Sequence, residues 1–317
     1  MSRMANLEQA VLAVLAGRAT GREAERVGLP AEHLRELADR YRAAGRTVLE
    51  PGAENWVQAN LTFPDYSIAE NAMLDAIWPA IRRLDSDRWW FVRKRPHWRL
   101  RLRPAANTTT AGLLDQVAAA FDPIVSRRII EGWSITHYEP ETTAFGGSQS
   151  MRAVHDIFHA DSNGYLEFRR ASQDKPAERP DPRLVSLLIN THMFRAVGIE
   201  TTEHGDIWAR VVDQRPPLPP EPDLASLTAK ASAAFRVDLR ELTATDPRFS
   251  SAEAWAMNIA ECGRRVGALW RAGAIDTGIR GILARVVIFH WNRIGLQVEQ
   301  QSLLAAANRD AVLGDAE

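Results

Sequence analysis

The chain reads as an α+β protein: a small helical N-terminal module, a mainly antiparallel sheet with flanking helices, and a helical C-terminal part. Three observations predict this. Between residues 55 and 140, four short segments alternate apolar and polar residues with the period of two that a half-buried strand produces. Before residue 50, and again from about residue 150 nearly to the end, apolar residues recur at helical spacing instead. Pro51-Gly52 breaks the first helical stretch from the rest. The expected division is a helical module over residues 1–50 and a main domain over residues 54–317.

Taken in order, residues 6–16 and 31–44 carry helical periodicity, with TGREAERVGL a short helical piece between them. GREAERVGLPAEHLRELADRYRAAGR has helix-turn-helix spacing, but its charges are mixed and no basic face emerges. It is therefore read as a module for packing or for holding a peptide, not as a DNA reader. NWVQANLTF alternates and reads as a strand; YSIAENAMLDAIWPAIRRL reads as a helix with a kink or break at Pro79. RWWFVRK and HWRLRLRP are two strands separated by Arg95-Pro96, the pattern of a hairpin. A helix over TTTAGLLDQVAAAFDPIVS and a strand over GWSITHYEP follow, and SMRAVHDIFHADSNGYLEFRRAS opens the helical half. DQRPPLPPEPDLASL interrupts that half as an extended surface loop or lid hinge.

Composition narrows the function classes. A net charge of −1 over 317 residues supplies no global field for nucleic acid or an acidic membrane, so any anion site must be local. The single cysteine, Cys262, excludes an internal disulfide framework and a cysteine-rich zinc site, and it is expected as a small buried apolar group in a helix. No apolar run approaches the ~18 residues needed to span a bilayer. The N-terminus lacks a basic n-region, so a cytoplasmic location is expected.

Four constellations carry candidate chemistry. In HWRLRLRP, Arg99, Arg101 and Arg103 share one strand face, with Arg93 on the neighbouring strand. Guanidiniums are forked donors matched to carboxylate or phosphate, and Arg99 and Arg101 are ~7 Å apart by strand rise. The competing reading is a solvated or ion-paired edge. HDIFH places His155 and His159 on one helix face with Asp156 between them, a weak zinc-helix pattern that still needs a third ligand such as Glu203 or His204. YEPETTAFGG sets Glu139 and Glu141 around Pro140, followed by a Gly146-Gly147 turn. In VVIFHWNRIG an apolar run ends at His290, followed by Asn292 and Arg293, which together offer a proton carrier and anion donors; a satisfied buried histidine is the plainer alternative.

In order along the chain, WWFVRKRPHWRLRLRP, GWSITHYEPETTAFGG, VHDIFHADS and FHWNRIGL resemble the C-terminal elimination domain of lantibiotic dehydratases, in its free-standing form, the thiopeptide-type bacteriocin biosynthesis protein. The resemblance covers roughly residues 55–310. It implies that a separate glutamyl-tRNA-dependent protein esterifies Ser or Thr of a precursor peptide, leader plus core, with glutamate. This domain then expels the glutamate to leave dehydroalanine or dehydrobutyrine. The chain is too short to hold that glutamylating module as well. The family's paired arginines match Arg99 and Arg101, and the histidine of its H-x-x-N-R-like block matches His290, giving the implied catalytic set. Arg93, Glu141, Asn292 and Arg293 are the implied substrate-binding set. The family's R-E-x-x-R-Y-G-G block becomes PETTAFGG here: both arginines are lost, to Pro140 and Ala144, while Glu141 and the glycines remain. That departure points to the thiopeptide branch, whose pyridine synthases share the fold and join two dehydroalanines in a formal [4+2] cycloaddition. Because HDIFHADS is itself a family block, its likeness to a zinc helix is read as accidental, and no metal or cofactor is implied. A homodimer is compatible with the sequence; membrane and DNA partners are not expected. Outside the family, the readings are a metallohydrolase or a peptide-binding module.

Overall fold

The computed structural model describes residues 3–49, 55–218 and 224–314. The Pro51-Gly52 break and residues 219–223 of the proline-rich segment lie outside the described residues. The chain divides into two compact units, Met1–Glu54 and Asn55–Glu317.

The first unit is three helices, α1 (Arg3–Leu15), α2 (Thr20–Val27) and α3 (Ala31–Leu49). Ala10 and Val11 of α1, Ala24 of α2, and Leu34 and Ala38 of α3 form its own small core.

The second unit opens with β1 (Val57–Thr62). The helix expected over residues 66–84 runs without a gap through α4 (Ala69–Ala72), a π-helical turn over Met73–Ile77, and α5 (Trp78–Ile81), the π-helical turn being its departure from a plain helix. The cause is Pro79 in the first turn of α5: it has no N–H to donate, and the wider turn ahead of it takes up the misfit. β2 (Ser86–Lys94) and β3 (His97–Pro104) form the expected hairpin across a cis Arg95-Pro96 bond. α6 (Thr110–Ser126) and β4 (Gly132–Thr136) follow. The expected last strand is thus shorter than its alternating pattern, and residues 137–140 leave the sheet. The four strands pair antiparallel in the order β2-β3-β1-β4.

The helical half comprises α7 (Ser148–Ala171), α8 (Pro182–Val197), α9 (Thr201–Val212), α10 (Leu224–Ala234), α11 (Leu239–Thr245), α12 (Ser250–Arg271), α13 (Ile279–Ile294) and α14 (Val298–Leu313). α12 lies against α7 and α8, and α14 against α9 and α10. Gly164 permits the α7–α12 contact, because a Cβ there would sit 2.0 Å from Trp255 Cδ1. Among the described residues no helix is long and apolar enough to cross a membrane.

Register decides what each sheet face carries. Directly opposed residues share a face, so Trp98, Leu100 and Leu102 go with Arg93, Phe91 and Trp89. This face is apolar; Trp133 of β4 meets Phe121 of α6 edge-on here. The other face carries Arg99 opposite Val92 and Asn60, and Arg101 opposite Trp90 and Gln58. α7 runs beside the outer edge of β2 and supplies partners to its unpaired backbone. Phe91 N–H donates to Ser162 Oγ at 3.2 Å, and His159 Nδ1 lies 3.1 Å from Trp89 N.

Candidate active site

A cavity of about 440 Å³ opens on the polar sheet face. Arg99, Arg101 and Lys94 form its basic floor, and Glu139 and Glu141 face it from the segment that leaves β4. Asn292 of α13 reaches it from the helical side; Gln301 Nε2 donates to the Asn292 amide oxygen at 3.0 Å.

Gly146 and Gly147 fix the acidic wall. Their φ angles of +79° and +97° carry the chain into α7. The Gly146 carbonyl accepts from Asp276 N–H at 3.0 Å, and a Cβ at Gly146 would lie 2.6 Å from Ile275 Cγ2.

The arginine row resolves into three different fates. Arg103 is paired with Asp87 across the hairpin, Nε to Oδ1 at 2.7 Å and Nη2 to Oδ2 at 2.8 Å. Arg99 is half-buried in the cavity wall. Arg101 is only 6% exposed, and among the described residues its Nε and Nη1 have no hydrogen-bond partner. Its guanidinium lies over two rings, 4.1 Å from the Trp90 centroid and 4.8 Å from that of Tyr138. Burial pulls its pKa down to about 10, with the Arg99 and Arg293 charges adding to the fall and Tyr138 and Glu141 opposing it. It is still a cation at neutral pH, with two buried donors that no described residue accepts. Such a group costs free energy unless a ligand satisfies it.

Three implied site residues, Arg93, His290 and Arg293, do not line this cavity. Arg93 is opposite Trp98, on the apolar face, with its guanidinium 4.4 Å from the Trp98 ring. It donates to Glu70 at 2.5 Å, Tyr165 Oη at 2.6 Å and the Arg293 carbonyl at 2.7 Å. Burial alone would raise the Glu70 carboxyl; Arg93, Arg169 and the Tyr165 hydroxyl more than reverse this and hold it below its ordinary range.

His290 is 3% exposed and Arg293 fully buried, both held by Asp161 of α7. His290 Nδ1 donates to Asp161 Oδ1 at 2.8 Å, Trp255 Nε1 donates to the same oxygen at 3.0 Å, and Arg293 Nη1 donates to Oδ2. On its other side His290 Nε2 meets Ser186 Oγ at 2.9 Å, the oxygen to which Trp291 Nε1 also donates. Arg293 Nε donates to the Phe91 carbonyl at 3.0 Å. Burial favours a neutral Asp161, but His290 and Arg293 outweigh it and hold the carboxyl below its ordinary range. Both ring nitrogens of His290 are thus engaged by core side chains.

The two histidines of HDIFH also part company. His155 Nε2 lies 2.9 Å from Tyr138 Oη, while His159 serves the β2 backbone. Asp156 pairs with Arg88 at 2.6 Å. Among the described residues no group of three or more His, Cys, Asp or Glu side chains is placed to hold a metal.

Lys94, Trp90, Gln58 and Tyr138 were not singled out from the sequence. A signal for two of them existed. A two-residue turn at Arg95-Pro96 pairs position 94 with 97, 92 with 99 and 90 with 101, which puts Lys94 and Trp90 on the arginine face and Arg93 off it.

The sheet carries a basic cavity on one face and packs beside a helical half. The family described as lantibiotic biosynthesis dehydratase C-terminal matches residues 56–312, and the chain belongs to that family. Two solved structures share the fold. One is the tRNA-dependent lantibiotic dehydratase MibB from Microbispora sp. 107891: 20% identity, TM-score 0.65, covering 83% of this chain and 28% of that one. The other is TbtD, the pyridine synthase from thiomuracin biosynthesis: 12% identity, TM-score 0.52, covering 81% of this chain and 97% of that one. The chain therefore spans little more than a quarter of the dehydratase. No curated protein sequence matches it.

Proposed function

We propose that this chain is a lyase of thiopeptide maturation that eliminates glutamate from glutamylated Ser or Thr of a precursor peptide, leaving dehydroalanine or dehydrobutyrine. The observation that carries the reading is Arg101, a buried guanidinium with two unsatisfied donors at a cavity of a near-neutral protein. The charge pattern fits as well. As the ester C–O bond breaks, the departing glutamate carries two carboxylates and one ammonium group. The cavity offers Arg99, Arg101 and Lys94 on one side and Glu139 and Glu141 on the other. Preorganised guanidiniums in a water-poor site favour the charge that develops on the leaving carboxylate and on the enolate-like peptide. Elimination needs no cofactor. In this reading a separate protein performs the glutamyl-tRNA-dependent esterification, and residues 1–54 hold the leader peptide or that protein in a cytoplasmic pathway.

A second reading, [4+2] pyridine synthase, is favoured by one observation: both arginines of the family's R-E-x-x-R-Y-G-G block are absent, at Pro140 and Ala144. One experiment separates the two. The protein is offered a peptide with glutamyl esters on Ser and a second peptide already carrying dehydroalanines, and products are read by mass spectrometry. An eliminase releases glutamate from the first and ignores the second; a pyridine synthase does the reverse and cuts the leader from the second. In the elimination assay Arg101→Ala is expected to lower the rate ~10²–10³-fold, the usual loss on removing one such donor. Wild-type glutamate release that survives Arg101→Ala unchanged removes the basis of this reading.

A further inference from the structure

We propose that Tyr138 is the group that accepts the Cα proton in this cavity, and that His155 is its positioning residue and proton relay. The inference rests on the elimination reading above and deepens it, because His290 is sealed in the core and another base is required.

Tyr138 lines the cavity; His155, on α7 behind it, does not, and is 2% exposed. The Tyr138 hydroxyl and His155 Nε2 are 2.9 Å apart. The imidazole is held between aromatic walls, 4.6 Å from the Trp56 centroid and 6.2 Å from that of Trp90. The Arg101 guanidinium lies over the Tyr138 ring, 4.8 Å from its centroid. A phenol is a poor base as it stands. It becomes effective when its own proton has an acceptor within hydrogen-bond reach and a nearby cation favours the phenolate. Both conditions meet at Tyr138. His137, Glu139 and Glu141 also line the cavity, but their side chains are exposed and none is backed by a buried imidazole in the described residues.

The step balances as follows. The Tyr138 O–H proton passes to His155 Nε2, and the phenolate oxygen takes the proton from the substrate Cα. The Cα–H electron pair becomes the Cα=Cβ π bond, and the Cβ–O bond breaks with its pair going to the glutamate carboxylate, which Arg99 and Arg101 receive. The extra proton rests on His155 and returns to water through Tyr138 when the products leave.

The test uses the full chain, a Ser-glutamyl peptide and its Cα-deuterated form. Tyr138→Phe is expected to lower kcat ~10²–10⁴-fold, the range of a general base, with peptide affinity unchanged. His155→Gln keeps a side chain that can hold the hydroxyl but cannot take its proton. It is expected to lower kcat ~10²-fold or more at unchanged affinity, and to raise the deuterium isotope effect on kcat as proton abstraction becomes fully rate-limiting. A purely structural role for His155 would not move that isotope effect. Should Tyr138→Phe fail to fold, His155→Gln alone decides. Elimination by either folded variant within about threefold of wild type overturns the relay and leaves the elimination reading standing. Absence of glutamate release from the wild-type protein overturns the elimination reading, and the relay with it.

Discussion

Asp161 shows how a single carboxylate can be costly to lose. It receives His290, Trp255 and Arg293 at once, and all four groups are buried. Asp161→Asn removes the counter-charge and leaves the Arg293 guanidinium uncompensated in the core, so urea unfolding is expected to report a loss of ~3–5 kcal/mol, the usual cost of breaking a buried pair. The pH dependence follows from the depressed carboxyl. The unfolded chain takes up a proton near the ordinary Asp pKa of ~3.9, whereas the folded protein does so only at lower pH. The stabilisation is therefore complete above that ordinary value and lost as pH falls through the folded one. The gap between wild type and Asp161→Asn should narrow as pH falls below the ordinary Asp range; a gap that widened there would contradict the assignment. From the sequence, His290 and Arg293 stood out correctly as unusual polar residues closing an apolar run. Their partner is 129 and 132 positions away, and local pattern holds no trace of it.

At the scale of elements, the α7–α12 contact depends on Gly164, which lets the Trp255 ring lie directly on the α7 backbone. Gly164→Ala forces the indole to move, and with it the N–H that Trp255 gives Asp161. Thermal unfolding is expected to show a loss of ~1–3 kcal/mol, the range for overpacking a close contact, and Trp255→Phe in the same background should recover little. The strands were legible because alternation is a strong signal and the hairpin turn was marked by Arg95-Pro96. The arginine face and its counterpart in Asn292 and Glu141 were legible for the same reason: each ends or interrupts a regular pattern. What alternation did not report is where pairing stops. β4 ends at Thr136, and Tyr138 follows in the phase of Ser134 and Thr136, which lie opposite Asn60 and Gln58 on the arginine face. Nor did helical periodicity show that a π-helical turn would precede Pro79.

For the molecule as a whole, the two-unit division gives a direct expectation. Deleting residues 1–54 should weaken precursor-peptide binding, measured by fluorescence anisotropy, while turnover at saturating peptide persists; equal loss of both would show that the helical unit contributes to the chemistry itself. The order in which the ribosome delivers the chain bears on β2. Its segment Trp89-Trp90-Phe91-Val92 is apolar and sits at a sheet edge, yet its backbone is closed by Ser162, 71 residues later, and by Arg293, 202 residues after Phe91. At ~5–20 residues per second, the last of these closures is available roughly 10–40 s after the strand is made. Through that interval β2 is an open template for pairing with a neighbouring nascent chain. Yield of well-formed protein is thus governed less by the finished fold than by how sparsely it is synthesised, and low-copy expression suits this chain for a reason written into one strand.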